Sequence, residues 1–203
     1  IIAMLNNEGF IKSDNPQKSD LIFINTCSIR ERAEEKVHSQ LGRWDKIKKN
    51  KPEVIIGVLG CMAQNLKQDI LENRPFVDIV LGPDSYRKLP EIVNRSINHQ
   101  QSIVDTKLSR YEVYEGLFPK RKGGVNAWIS IMRGCDKFCT FCIVPFTRGR
   151  ERSRSIDSIV KETEDAVNNG FREITLLGQN VNSFKHDSYK FHDLLEIISQ
   201  IPG

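Results

Sequence analysis

Short apolar segments alternate with longer polar segments through the first hundred residues, and this alternation is the feature that most limits the possible folds. Residues 21–26, 54–59 and 77–81 are rich in Ile, Leu and Val, and each is short enough to be a buried strand. The segments that follow them predict three helices, which extend to about residue 49, over 62–73 and over 84–98. This order is typical of a wound α/β domain with a parallel sheet between two helical layers.

The alternation stops between residues 106 and 124, where Pro119 and the pair Gly123–Gly124 interrupt the periodicity. It then restarts, with strands predicted over 127–132 and 173–177 and helices over 155–169 and 191–200. A complete (β/α) barrel needs roughly 200 residues, so the second part has room only for its first βα units. We therefore predict an α/β chain in three parts: an N-terminal wound domain over 1–105, a linker over 106–124, and a partial (β/α) barrel over 125–203.

Positive charge is concentrated in one part of the chain. The formal net charge is +4, but residues 106–154 hold 11 Lys or Arg against 4 Asp or Glu, and the remainder is slightly acidic. Such a field favours polyanions. The four alternating arginines at 148, 150, 152 and 154 could bind phosphates, or they could simply be solvated. Charge alone leaves both interpretations open.

The cysteine content and the hydropathy limit the cellular location. Five cysteines at irregular spacing do not suggest a disulfide framework. No apolar segment approaches the roughly 20 residues that a membrane span needs, and the N-terminus lacks the pattern of a signal peptide. We expect a cytoplasmic protein with no membrane partner. Because the sequence begins with Ile1 and not with Met, we also expect a fragment.

Three cysteines follow a predicted strand at C-x3-C-x2-C spacing. Cys135, Cys139 and Cys142 lie within eight residues of one another. Thiolates are the usual protein ligands of iron–sulfur clusters, whereas a structural zinc site normally has four ligands, and no fourth cysteine lies nearby. A four-iron cluster held by three thiolates keeps one iron free for another ligand. The alternatives are three packed core cysteines, or a zinc site completed by a distant ligand.

Cys27 and Cys61 each come directly after an apolar strand. The carboxyl ends of parallel strands lie at one edge of a sheet, which is where ligands bind in wound domains. The two thiols could therefore share a cluster, although two ligands are too few, and the missing ligand could precede Ile1. Equally, both could be small buried hydrophobic residues, because free cysteine is often buried.

At these residues the chain resembles the methylthiotransferases of the radical S-adenosylmethionine (SAM) superfamily, most closely the branch that modifies adenosine in tRNA. The three-cysteine loop marks the superfamily, and its combination with Cys27 and Cys61 marks the methylthiotransferases. Further similar segments are Asn25–Glu31, Gly42–Trp44, Gly60–Cys61, Val77–Asp78, Gly82–Pro83, Pro145–Gly149 and Leu176–Asn182.

The resemblance assigns roles to residues of the second part. The loop cysteines would hold a [4Fe–4S] cluster whose open iron chelates SAM. Phe141 would lie against the adenine of SAM, and Gln179 and Asn180 would contact SAM at the mouth of the barrel. The assigned cluster ligands are Cys135, Cys139 and Cys142.

For the first part, the resemblance makes Cys27 and Cys61 two of the three ligands of an auxiliary [4Fe–4S] cluster. The first cysteine of the family pattern is absent, as are the C-terminal RNA-binding module and most of the barrel. The chain is therefore expected to be inactive alone.

The implied function is insertion of a methylthio group at carbon 2 of an isopentenylated adenosine next to the anticodon of tRNA. An electron donor such as flavodoxin or ferredoxin would be a second partner, and a base in an anticodon loop is unpaired and can enter a pocket. The first alternative is the related enzyme that modifies an aspartate of a ribosomal protein. The second is a non-catalytic metal-binding module that binds nucleic acid.

Overall fold

The computed structural model describes residues 1–28, 31–99, 101–121 and 123–203, with only the backbone described at Glu31 and Ala33. It divides into two compact units, Ile1–Leu108 and Ser109–Gly203. The division lies within the segment that the sequence predicts as a linker. Ile29 and Arg30 of the Asn25–Glu31 motif, and Lys122 of the linker, lie outside the described residues.

The first unit contains a parallel sheet of four strands in the order β1-β2-β3-β4. The strands are β1 Leu21–Thr26, β2 Ile55–Gly60, β3 Ile79–Leu81 and β4 Ile103–Asp105. The predicted wound parallel sheet is confirmed. The sequence does not predict strand β4, because three residues are too few to show a periodicity.

Five helices surround this sheet: α1 Ile2–Asn7, α2 Glu31–Asn50, α3 Cys61–Leu66, α4 Asp69–Asn73 and α5 Leu89–His99. Two of the predicted helices differ from those in the structure. The single helix predicted over 62–73 is divided into α3 and α4, because Lys67 has a φ of +50° that an α-helix cannot contain. The helix predicted over 84–98 begins as a 3₁₀ turn, Pro83–Lys88.

The helices bury both faces of the sheet. On one face α2 packs against the strands through residues such as Leu41 and Trp44. On the other face α5 contributes Leu89, Ile92 and Val93. Strand β2 is buried along its whole length, which is why its sequence is continuously apolar and not alternating. Polar side chains of the sheet are therefore confined to its edges and strand ends.

The second unit is built on two parallel strands, β5 Asn126–Ser130 and β8 Glu173–Leu177. Two antiparallel pairs are shorter: β6 Met132–Arg133 with β7 Arg152–Ser153, and β9 Lys185–His186 with β10 Tyr189–Lys190. The helices are α6 Val144–Arg148, α7 Ile156–Asn168 and α8 Phe191–Ser199. This βαβα order agrees with the predicted first units of a (β/α) fold. The strand predicted over 127–132 is interrupted at Ile131, and its end pairs with β7 instead.

The predicted linker contains no helix or strand in its described residues, 106–121 and 123–124. From Ser109 onward it nevertheless belongs to the second unit. Val113 is buried, and the Tyr114 ring lies 3.8 Å from the guanidinium carbon of the buried Arg133. In both units, no helix of the described chain is at once long and apolar enough to cross a bilayer.

Candidate metal centres

The three-cysteine loop begins where β6 ends and is closed by backbone hydrogen bonds. The Cys135 N–H donates to the Gly149 carbonyl at 3.1 Å, and the Cys142 N–H donates to the Cys139 carbonyl at 2.9 Å. Cys135 is buried, Cys142 is partly buried and Cys139 is exposed. The backbone therefore fixes the first cysteine against residues that follow the loop, and it leaves the other two nearer to the surface.

Gly134 makes this arrangement possible. Its φ is +78°, and a Cβ atom at this position would lie only 2.0 Å from the Arg150 carbonyl oxygen. A side chain would clash with backbone that cannot move aside, and positive φ favours glycine. The close approach of Gly134 to the 149–150 backbone is what holds the base of the cysteine loop in place.

The donor set of the loop suits an iron–sulfur cluster. Nowhere in the described chain are three or more Cys, His, Asp and Glu side chains grouped as a closed metal site. The one carboxylate within the loop is occupied, because Asp136 pairs with Arg150 at 2.9 Å and accepts the Glu151 N–H at 3.1 Å. The remaining metal-binding groups of the loop are three thiols, the ligands that such clusters take.

Two residues predicted to contact SAM form hydrogen bonds with residues that flank the cysteine loop. The Gln179 Oε1 atom accepts the Gly134 N–H at 2.8 Å, immediately before the first cysteine. The Asn180 Nδ2 atom donates to Glu151 Oε1 at 3.4 Å. Both residues follow β8, so that strand positions them beside the loop. Phe141, the third such residue, is 92% exposed.

Sequence reasoning missed a group of aromatic and cationic side chains on this loop and on the residues that follow it. The Phe138 and Phe146 rings are perpendicular, with centroids 6.4 Å apart, and the Arg150 guanidinium lies 5.1 Å from the Phe138 centroid. We call Phe138, Phe146 and Arg150 the Phe138 patch. The presence of two phenylalanines and one arginine within residues 138–150 was the available signal, but only the fold shows that they meet.

The alternating arginines have different environments. Arg154 is buried, pairs with Glu162 at 2.6 Å and donates to the Ser130 carbonyl at 2.8 Å. Arg152 donates to the Ser109 and Arg148 carbonyls. Neither is a solvated side chain, and Arg154 has no access to a phosphate. The structure therefore gives Arg154 a packing role, and neither phosphate binding nor a solvated surface describes it.

Cys27 and Cys61 lie at the same edge of the first unit's sheet. Thr26 and Gly60 are paired in the β1–β2 register, so each cysteine is the residue that follows a paired position. Cys61 is buried at the start of α3, and Cys27 is exposed. Gly60 has a φ of +101°, and a Cβ there would lie 2.4 Å from the Thr26 carbonyl oxygen. Glycine thus allows the two strand ends to approach closely.

Polar side chains lie at the same end of this sheet as Cys27 and Cys61. The Gln64 Nε2 atom donates to the Thr106 carbonyl at 2.6 Å, while its buried Oε1 atom has no hydrogen-bond partner among the described residues. Ser28 Oγ, next to Cys27, is likewise buried without a described partner. Tyr86 donates its hydroxyl to Asn25 Oδ1 at 2.8 Å. Thiols and unsatisfied buried polar atoms together are consistent with a site for an additional group.

Two protein-family models match separate parts of the chain. Residues 1–82 match a model described as uncharacterized protein family UPF0004. Residues 129–202 match the radical SAM superfamily. The first match contains both Cys27 and Cys61, and the second contains the three-cysteine loop together with Gln179 and Asn180. Each candidate metal centre therefore lies within the residues matched by a different family model.

The curated relatives resemble the chain along most of its length. A tRNA-2-methylthio-N(6)-dimethylallyladenosine synthase of Amoebophilus asiaticus is 50% identical over 91% of this chain and 38% of its own length. Proteins of the same name are 43% identical in Alteromonas mediterranea, over 98% of this chain and 43% of theirs, and 44% identical in Stutzerimonas stutzeri, over 94% and 44%.

The chain spans about two fifths of the length of these relatives. Within that span, the two family matches contain the two sets of cysteines that the sequence analysis assigns to metal centres. Residues 1–82 are thus similar to family UPF0004, and residues 129–202 are similar to the radical SAM superfamily.

Proposed function

We propose that the chain provides the two cluster-binding regions of a tRNA methylthiotransferase, which attaches a methylthio group to carbon 2 of an isopentenylated adenosine next to the anticodon. The observation that carries this proposal is the presence of two separate cysteine sets, each placed at a strand end by a glycine of positive φ. Relatives that carry the name of such a synthase align with 91% or more of the chain. That alignment supports tRNA as the substrate.

In this proposal, the ligands of the SAM-binding [4Fe–4S] cluster are Cys135, Cys139 and Cys142. The three thiols leave one iron of such a cluster without a protein ligand, and the amino and carboxylate groups of SAM would fill that position. When bound, this cluster with SAM would supply one-electron chemistry able to attack a C–H bond that has no useful acidity.

The contribution of the chain's own residues is to hold and shield this site. Gln179 fixes the Gly134 amide, so β8 and the start of the cysteine loop keep one orientation. Asn180, bonded to Glu151, lies beside it and would face SAM. The exposed ring of Phe141, directly before Cys142, would cover the adenine of SAM. These groups orient the bound cofactor and exclude water from it.

Cys27 and Cys61 would be two of three ligands of an auxiliary [4Fe–4S] cluster that presents the sulfur to be inserted. Gln64 and Ser28 supply polar atoms at that edge of the sheet. A division of the chain into domains over 1–105 and 125–203, with a connecting segment over 106–124, gives each cluster a domain of its own. A flavodoxin or ferredoxin would deliver the electron, and the basic excess of residues 106–154 would attract the RNA.

The separation of roles can be tested with paired variants of a protein that carries this chain at the full length of its relatives. After anaerobic reconstitution, Cys27→Ala with Cys61→Ala should abolish methylthio transfer to tRNA but retain cleavage of SAM to 5′-deoxyadenosine. Cys135→Ala should abolish both, because it removes a ligand of the SAM-binding cluster. Chromatography of the nucleosides and of the SAM products measures the two activities separately.

Three results would contradict the proposal. Loss of SAM cleavage in the Cys27 and Cys61 variant would show that the cysteine sets do not act separately. Stoichiometric zinc without iron after reconstitution would exclude the radical chemistry and favour a non-catalytic metal-binding module. Methylthio transfer to a ribosomal-protein aspartate and not to tRNA would identify the related enzyme instead.

A further inference from the structure

We propose that the Phe138 patch is a stacking surface for an unpaired base of the RNA substrate. This inference rests on the proposed function, since it takes tRNA as the substrate, and it assigns part of the binding to residues other than the cluster ligands. It concerns the cysteine loop and α6 of the second unit only.

The three side chains of the patch form an ordered arrangement and not a random surface cluster. The Phe138 and Phe146 rings meet edge to face at 89°, and the Arg150 guanidinium lies over the Phe138 ring. Asp136 fixes the guanidinium through an ion pair with Arg150 Nε at 2.9 Å. An arginine restrained in this way presents a planar face beside two aromatic rings.

Neither burial nor backbone preference explains why these rings are where they are. Phe146 is 67% exposed and Phe138 is 48% exposed, so much of their apolar area remains in water. Phe138 also has a φ of +47°, which is uncommon for any residue but glycine and unusual for an aromatic one. Exposed apolar area and backbone strain at the same residue are typical of a functional surface.

The chemistry of the patch favours a nucleobase as its occupant. Bases of unpaired RNA stack on aromatic side chains and on guanidinium planes, and the patch presents both. The exposed Lys137 and the basic excess of residues 106–154 supply the charge that the phosphates need. An acidic partner protein would use the positive charge but would not need the exposed planar faces of the two rings and of Arg150, which Asp136 already pairs. The planar faces of the patch therefore favour a nucleobase as its ligand.

The test measures binding of a short RNA stem–loop to the reconstituted protein that carries this chain at the full length of its relatives. A blunt-ended duplex with the same stem sequence and no loop serves for comparison. Phe146→Leu keeps an apolar side chain but removes the ring, and it should weaken stem–loop binding about tenfold while leaving duplex binding unchanged. Because no charge is lost, the slope of affinity against salt should not change. Arg150→Lys, which keeps the charge but not the plane, should act in the same direction.

Tyr189→Leu is the matched control, since Tyr189 is a similarly exposed aromatic residue of the same unit that lies on β10, outside the patch. Circular dichroism and thermal melting verify that the variants are folded. If the wild-type protein binds the stem–loop and Phe146→Leu binds it equally well, the assignment of the Phe138 patch as a stacking surface is wrong. The proposed function is then unaffected. If wild-type protein binds no RNA, both are wrong.

Two further results would also overturn the inference. Equal losses for the stem–loop and the duplex would show that no unpaired base is involved. Normal RNA binding by Phe146→Leu, with slower reduction by a flavodoxin or ferredoxin but normal reduction by dithionite, would assign the patch to the electron donor.

Discussion

Gly60 and Gly134 occupy the same position relative to the two candidate metal centres, each directly before a cysteine. Both have positive φ, and at both a Cβ atom would lie within 2.4 Å of a backbone carbonyl oxygen of a neighbouring segment. The two glycines therefore permit a close backbone approach, and this approach sets the positions of Cys61 and Cys135. At the scale of single residues, the backbone geometry of these two glycines therefore helps to position both thiols.

Replacing Gly134 should test this directly. Gly134→Ala combines positive φ, which costs about 1–3 kcal/mol, with a clash against the Arg150 carbonyl. Gly170→Ala is the matched control, because Gly170 has a φ of +85° but a Cβ there would meet nothing within 4 Å, so only the backbone cost applies. We expect urea denaturation to show the larger loss for Gly134→Ala. Equal losses would mean that the close approach is unimportant.

Between elements, the second unit depends on one buried carboxylate. Glu162 of α7 accepts from Arg154 and from Arg121, both at 2.6 Å, and Arg121 belongs to the irregular segment that precedes β5. Arg154 in turn donates to the Ser130 carbonyl at the end of β5. Glu162 therefore connects a helix, a strand and a segment without regular structure, and it keeps the chain before β5 packed on the unit.

Glu162→Gln should lower the free energy of unfolding by about 3–5 kcal/mol, because the buried Arg154 and the largely buried Arg121 lose their counter-charge. Asp165→Asn provides the comparison, since Asp165 is half exposed and lies 3.7 Å from Arg121, and it should cost less than about 1 kcal/mol. Denaturant titration of both variants measures the difference. A small effect of Glu162→Gln would show that the segment before β5 packs without this connection.

A second connection, in the first unit, should depend on pH. Burial alone would raise the pKa of Asp105 at the end of β4, but hydrogen bonds from Lys88 and Ser85 and the charge of Lys88 outweigh it, and the pKa lies below its ordinary value of 3.8. A lowered pKa in the folded state stabilises the fold above the ordinary value, and this stabilisation is lost as the pH falls through the folded-state pKa.

Lys88→Met should therefore destabilise the first unit near neutral pH, by about 0.5 kcal/mol because Lys88 is largely exposed. Below the folded-state pKa of Asp105, its carboxyl group is neutral in the wild-type protein and in Lys88→Met. The difference in free energy of unfolding that the ion pair causes should then disappear. Urea denaturation across this pH range measures the effect. Lys12→Met, which removes a more exposed pair with Asp14, should change little at any pH. A pH-independent effect of Lys88→Met would exclude the ion pair as its cause.

On the scale of the whole molecule, the five cysteines are divided between the two units. Cys27 and Cys61 belong to the first unit, and the three loop cysteines belong to the second. Each unit has its own hydrophobic core. A cluster at either centre would therefore take its ligands from this chain within one unit, and loss of one cluster should not prevent assembly of the other.

Iron analysis after anaerobic reconstitution tests this independence. Cys61→Ala and Cys135→Ala should each lower the iron and sulfide content by the share of one centre, and the double variant should lose nearly all of it. His192→Ala replaces an exposed residue outside both centres and should retain the wild-type content. Loss of all iron from either single variant would contradict two independent centres.

The sequence alone determined the α/β class, the parallel direction of the main strands and the three-cysteine loop. It also determined that Cys27 and Cys61 each follow a strand. These properties depend on local periodicity and on short spacings, which a single sequence displays directly. Strand β8, predicted over 173–177, has those bounds because its apolar segment ends at a glycine. Strand β4 and the break at Lys67 left no such local signal.

Only the tertiary structure decided which distant residues meet. The bond between Gln179 and Gly134 joins residues 45 positions apart, and the bond between Arg121 and Glu162 joins residues 41 apart. The contact of Phe138 with Phe146 and Arg150 likewise depends on how the loop folds back after Cys142. Such contacts depend on chain reversal and close packing, and neither is encoded in the spacing of residues along the chain.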